Sequence, residues 1–327
     1  MDTQNEELTA EQKDDAPKAS PVRKGGRVWI VIVAVLAIVL VGVAVFLGLR
    51  ETGKVRAAES KLDEAVTILA NAEDAVIAAD GVVQAEITPG LETTAAAALD
   101  MLPQARKDLT DAIELLIEAR TDLREEDQVL AEALQTAAEA RADMLEEAET
   151  ILSANKVAAG ALQPATDGWA RVAEAEKLSQ DAVAQFNKHT TDGVKESTKL
   201  STQAAGKLTV ARSALETATA VFPDAELQQF IDYIDARQAL LESSMRIDTA
   251  WLAGKVEEAN GMLDAYTKQE AALIEQGKKL PASPTIAIAD AYEVLAAAPT
   301  DRYFAARDRA RAADDRVREL STAVTGG

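Results

Sequence analysis

The chain has 327 residues, a formal net charge of −21 and no cysteine, and 48% of it is hydrophobic while only 4% is aromatic. Without cysteine, disulfides, thiol nucleophiles and thiolate metal sites are excluded, and the negative charge disfavours nucleic acid and anionic surfaces as partners. An apolar content drawn largely from Ala, Leu and Val suits helix stripes and fills wide interiors poorly, so the composition predicts an all-α protein with a thin core.

Residues 1–27 are polar, with a Pro-Ala-Ser patch, and read as a disordered tail. Val28–Leu49 then carries no charged side chain and, as a helix, reaches roughly 33 Å against a hydrocarbon core of roughly 30 Å. The sequence therefore predicts one transmembrane helix contacting the lipid bilayer, an uncleaved signal anchor. Lys13, Lys18, Arg23, Lys24 and Arg27 precede it, so the expected topology is a plasma-membrane, single-pass protein of a bacterial cell envelope. Its N-terminus is cytoplasmic and its C-terminal domain extracytoplasmic.

The remainder, 50–324, is expected to form an elongated antiparallel helical-hairpin bundle. In Arg50–Ile87, Val55, Leu62, Leu69, Val76 and Val83 recur every seven residues, with Ala58, Ala65, Ala72 and Ala79 three residues on. That is a coiled-coil seam with a small residue at every second position, which lets helices approach closely. Thr88-Pro89-Gly90 ends it. The same beat returns at Leu102, Leu109, Leu116, Leu123 and Leu130 with Ala105, Ala112, Ala119 and Ala133. No Gly or Pro interrupts Gln104–Ala159, yet a helix folding back along a first one of about 57 Å must turn near residue 128. A reversal is predicted at Arg124–Gln128, within a polar cluster.

Gly160–Gly168, with Pro164 inside it, reads as a loop, and His189–Gly193 as a second break. Between them lies a helix Trp169–Lys188, followed by Val194–Val221 with a seam of Val194, Ser201, Leu208, Leu215 and Phe222. Helices at Asp224–Ala253, Lys255–Gly277, Thr285–Ala298 and Asp301–Val324 complete the chain, with Ser283-Pro284 and Pro299-Thr300 as stops. Arg50–Gly168 has no aromatic residue, whereas Phe222, Phe230, Tyr233, Trp251, Tyr266, Tyr292, Tyr303 and Phe304 crowd the end. The expected organisation is thus an aromatic-poor rod over 50–221, an aromatic-containing module over 222–324 and a tail at 325–327.

Chemistry-bearing motifs are scarce. The single histidine, His189, lies in a polar turn, and one imidazole cannot supply a catalytic zinc site. Glu125-Glu126-Asp127, Glu146-Glu147 and Asp314-Asp315 lack calcium-loop spacing and read as solvated helix faces. No phosphate-cradling, nucleophile-elbow or metalloprotease pattern occurs, so no enzyme activity, cofactor or metal is expected. Trp251-Leu252-Ala253-Gly254 through Tyr266 looks like part of a tetratricopeptide hairpin, which implies a tight turn at Gly254. Trp251, Tyr266, Tyr292, Arg302 and Tyr303 are the candidate ligand or partner contacts. The arginines of the last helix alternate with acids and are expected to pair along its surface. The function expected is a membrane-anchored helical scaffold or interaction protein with a protein partner or self-association through its seams. A ligand-sensing or solute-binding module acting with a partner subunit is the alternative.

Overall fold

The structure, a computed structural model, describes residues 53–325, which form seven α-helices and one 3-10 turn and no β-strand. These are α1 (Gly53–Val83), α2 (Leu91–Arg120), α3 (Glu125–Phe186), α4 (Thr191–Val221), the turn Pro223–Ala225, α5 (Gln228–Leu252), α6 (Val256–Gly277) and α7 (Pro284–Thr325). The described chain is all-α, as its composition implied.

The expected localisation is corrected. Among the described residues no helix is long and apolar enough to cross a membrane. The physical reason is that each described helix carries charged side chains turn after turn on its outer face. The apolar stretch 28–49, the tail 1–27 and residues 326–327 lie outside the described residues.

The heptad seams are the inner faces of the helices. Leu62, Ala65, Leu69, Ala72, Val76 and Ala79 of α1 and Leu102, Ala105, Leu109, Ala112, Leu116 and Ala119 of α2 are all buried. The chain reverses at Thr121–Arg124, just ahead of the expected place. Arg124 is extended there, Gln128 Nε2 donates to the Leu123 carbonyl at 2.8 Å, and Glu125, Glu126 and Asp127 complement the positive end of α3.

Two expected breaks are absent. Helix α3 runs 62 residues, roughly 93 Å, straight through Gly160–Gly168 with Pro164 inside it. A proline in a helix interior forfeits one backbone bond, which costs about 3 kcal/mol. Here the flanking Ala161, Ala165 and Gly168 are buried against α4, and that packing outweighs the loss. Helix α7 likewise runs through Pro299, which is itself buried.

The turns that do form have local causes. Thr190 caps α4 by accepting from Gly193 N at 3.1 Å, and a Cβ on Gly193 would lie 2.6 Å from the Gln185 carbonyl. After α5, Gly254 adopts φ +75 while Lys255 N bonds to Ala250 O and Gly254 N to Trp251 O, the pair of bonds of a Schellman cap.

Two apolar cores lie end to end. The first is closed by α1, α2, the first part of α3 and the C-terminal half of α7, around Leu62, Leu109, Leu145 and Tyr303. The second joins the rest of α3 with α4, α5 and the first turns of α7, around Leu208, Phe222 and Phe230. Both cores draw on segments from either side of residue 221. Helices α3 and α7 thread both and run antiparallel, since Asp143, Glu147 and Arg141 meet Arg309, Arg302 and Asp314 in turn. Ile87 touches both cores, and Gly160 sits between Glu92 and Val221 at their junction.

Close approach of α3 to α4 rests on Gly168, where an added Cβ would lie 3.1 Å from both the Ala211 carbonyl and the Ala214 Cβ. Gly168→Val is expected to destabilise the second core by about 1–3 kcal/mol in urea unfolding. Gly206→Ala, whose Cβ meets nothing within 4 Å, is expected to be neutral or slightly stabilising.

Candidate functional site

Polar residues placed within the apolar seams mark the unusual positions of this protein. On α3 the inward positions run Leu130, Leu134, Ala137, Arg141, Met144, Ala148, Ile151, Asn155, Ala158, alternating four and three residues apart. Arg141 and Asn155 stand where the pattern calls for apolar side chains. On α1 a second inward row reads Leu62, Val66, Leu69, Glu73, Val76, Asp80, and on α4 Ser197 and Ser201 interrupt the seam.

Arg141 is only 4% exposed and donates to both oxygens of buried Asp314 at 2.9 and 3.0 Å. Its Nε lies 3.5 Å from Glu73 Oε2, while Glu73 Oε1 is buried without a hydrogen-bond partner. One guanidinium thus serves two carboxylates brought by α1 and α7. Burial raises the pKa of Glu73 and of Asp314, in each case against the lowering influence of Arg141. Burial opposes the charge of Arg141, and the two carboxylates outweigh it and hold the guanidinium ionised.

Two turns along α1, Asp80 accepts from Tyr303 Oη at 3.0 Å, from Arg307 Nη2 at 3.0 Å and from Gln84 Nε2 at 2.5 Å. This site is balanced, one carboxylate to one guanidinium. Burial raises the Asp80 carboxyl and, first among its causes, raises the Tyr303 phenol well above its ordinary value.

A third polar knot joins α4 to α5. Asp248, 1% exposed, accepts from Thr198 Oγ1 at 3.0 Å and faces Ser197, and among the described residues no cation is paired with it. Burial raises its pKa. Beside it, Phe186, Trp251, Met262, Leu263 and Tyr266 pack around Ile247, Ala250 and Ala259.

The five candidate contacts do not converge. Trp251 and Tyr266 belong to this α5–α6 corner, Tyr292 packs half-buried on the second core, and Tyr303 is sealed in the first core against Asp80. Arg302 is exposed and bonds Glu147. The arginines of α7 divide: Arg316 and Arg318 pair along their own helix, while Arg302, Arg307 and Arg309 cross to α3 and α1. Asp314, read from sequence as solvated, is interior. His189 is an exposed turn residue with φ +51.

Sequence reasoning also missed the ring cluster of the second core. There Trp169 meets Phe230 edge-on at 5.2 Å, and Tyr233 donates to Glu176 at 2.9 Å. Burial pushes the Tyr233 phenol up to about 12. Among the described residues no group of three or more His, Cys, Asp or Glu could hold a metal ion. An open groove of about 880 Å³ between α3 and α4 is lined by charges of both signs, Arg171, Glu174, Asp181 and Lys207, beside Leu178 and Val210.

Comparison with known proteins identifies no relative: no family model, no curated protein and no solved structure matches this chain.

Arg141→Met leaves two buried carboxylates unpaired and is expected to cost about 3–5 kcal/mol in chemical denaturation, whereas Arg309→Met, at an exposed pair, should cost under about 1 kcal/mol. For Asp248, the folded state holds its proton more tightly than the unfolded chain, so stability grows as pH falls through the raised pKa. Asp248→Asn is accordingly expected to stabilise the protein at pH 7 by about 1 kcal/mol, with the gain over the natural chain shrinking toward pH 4 in thermal melts.

Proposed function

We propose that this chain is a non-catalytic helical scaffold that holds interaction surfaces at a fixed spacing along a rod. The observation that carries the reading is α3, one uninterrupted helix of 62 residues that forms a wall of both cores. A helix common to two cores couples them stiffly, as two separately folded bundles on a linker would not be. The interior consists largely of Ala and Leu seams crossed by a few buried polar bonds between helices, such as Arg141–Asp314 and Tyr303–Asp80, an arrangement suited to cohesion. The partner surfaces proposed are on α6, which buries only Ala259 and Leu273, and on the first half of α7, where Val294 is 83% exposed and Ile286 and Leu295 are also uncovered.

A ligand-sensing reading draws on one place, the α5–α6 corner, where Trp251 and Tyr266 lie near the unpaired charge of Asp248.

Crosslinking of the full chain in its native cells, read by mass spectrometry, separates the two. The scaffold reading expects links from Lys255, Lys268, Lys278 and Lys279 to one other protein or to a second copy. Links confined to the chain itself, together with a small molecule that raises the melting temperature in the natural protein and not in Trp251→Ala, would replace it with the sensing reading.

A further inference from the structure

The Glu73–Arg141–Asp314 cluster carries a consequence separate from scaffolding. Three helices meet there, each contributing one ionisable side chain at an inward position: Glu73 from α1, Arg141 from α3 and Asp314 from α7. With both acids ionised, the site would bury one negative charge more than it can neutralise. Asp314 holds the guanidinium in two-point contact, and Glu73 has the longer contact and the oxygen that lacks a partner.

The other charges around it do not correct the imbalance. On α1, Asp74 adds negative charge to Glu73. On α7, Asp315 and Arg318 lie near Asp314 and are paired with each other. On α2, Arg106 is engaged by Glu149 of α3. Two turns away, Arg307 is held by Asp80, with Tyr303 on the same carboxylate.

We propose that Glu73, Arg141 and Asp314 form a proton-operated latch: a proton taken up at Glu73 balances the site and holds α7 against α3 and α1, and its loss loosens the C-terminal half of α7.

The contrast with Asp80 supports this assignment. There one acid meets one guanidinium, a phenol and an amide, all in hydrogen-bond contact, so no charge is left over. The strap that the latch would hold is bound mostly by small apolar side chains, since its fully inward apolar residues after Tyr303 are Ala306, Ala310, Ala313 and Val317, with Phe304 and Leu320 packed at the edge of the core. Small side chains bury little area per turn, so the balance of the ionic site weighs more here than in a leucine-packed helix.

The direction of the pH effect is fixed by burial, which raises the Glu73 carboxyl. The folded state binds this proton more strongly than the unfolded chain, so docking is strongest near and below the ordinary glutamate value of about 4.3 and weakens as pH rises through the raised one.

Hydrogen exchange of the full chain tests the latch, comparing amides of residues 300–320 with those of α4 in the same sample at pH 5 and pH 7.5. The expected result is a fall in α7 protection of about threefold or more relative to α4 at the higher pH. Glu73→Gln, and independently Asp314→Asn, should abolish that difference and keep α7 protected at pH 7.5. Equal α7 protection at the two pH values in the natural chain, or an undiminished pH effect in both variants, would overturn the proposal. Should neither variant fold, carbon-13 titration of the Glu73 carboxyl in the natural chain decides: a midpoint above about 4.3 supports it and one at or below that value defeats it.

Discussion

The width of an alanine side chain governs this structure. Helix α3 can serve as a wall of two cores only because its inward face is built largely of Ala and Gly, at Ala148, Ala158, Ala161, Ala165, Gly168 and Ala175. Those residues bring the neighbouring backbones close along its length and gain dispersion contacts over many turns, though each buries little area. The same spacing explains why Pro164 does not break the helix. Removing one backbone bond is a local loss, whereas ending α3 there would separate Ala161, Ala165 and Gly168 from α4 and divide the two cores.

An interior this thin leaves room for polar groups only where they find partners across it. Two of the fully buried rings, Phe222 and Phe230, sit around the 3-10 turn, and Trp169 packs against Phe230 between α3 and α5. Elsewhere the alanine rows are interrupted by Glu73, Asp80, Arg141 and Asp314, and the long side chains of Arg141 and Arg307 span the gap to the acids. Such groups contribute less net stability than apolar side chains of the same volume, but they fix which residues face each other. An alanine seam is nearly indifferent to a slip of one heptad; the Arg141–Asp314 and Tyr303–Asp80 contacts are not, and they set the register of α7 against α1 and α3.

The polar knot at Asp248 does the same between α4 and α5 with hydroxyl groups in place of a cation, at a lasting cost in burial of charge. Together the three polar sites tie α1 to α7 and α3 to α7, pairs far apart in sequence, and α4 to its neighbour α5, where apolar contacts alone would leave alternative alignments open. Register in this fold comes from the same few interior residues.

What the sequence determined by itself was the helical class, the inward rows and the turns with a local chemical cause. The seams at Leu62–Ala79, Leu102–Ala119 and Val194–Ala218 face the interior because a seven-residue repeat can be buried on one side of a helix and nowhere else. Gly254 and the Thr190–Gly193 cap turn the chain because their backbone requirements are carried by adjacent residues. Tertiary structure alone decided whether Gly160–Gly168 and Pro299 interrupt a helix, since that depends on packing energy summed over distant neighbours. It also decided which polar residues are interior. The signal was present, in that Arg141, Asn155, Ser197, Asp248, Glu73 and Asp80 fall on inward rows, but a charge on such a row can equally end the row or turn it to solvent. Only the arrival of Asp314 and Tyr303 from more than 170 residues away supplies the partners that make burial tolerable, and no local pattern records that meeting.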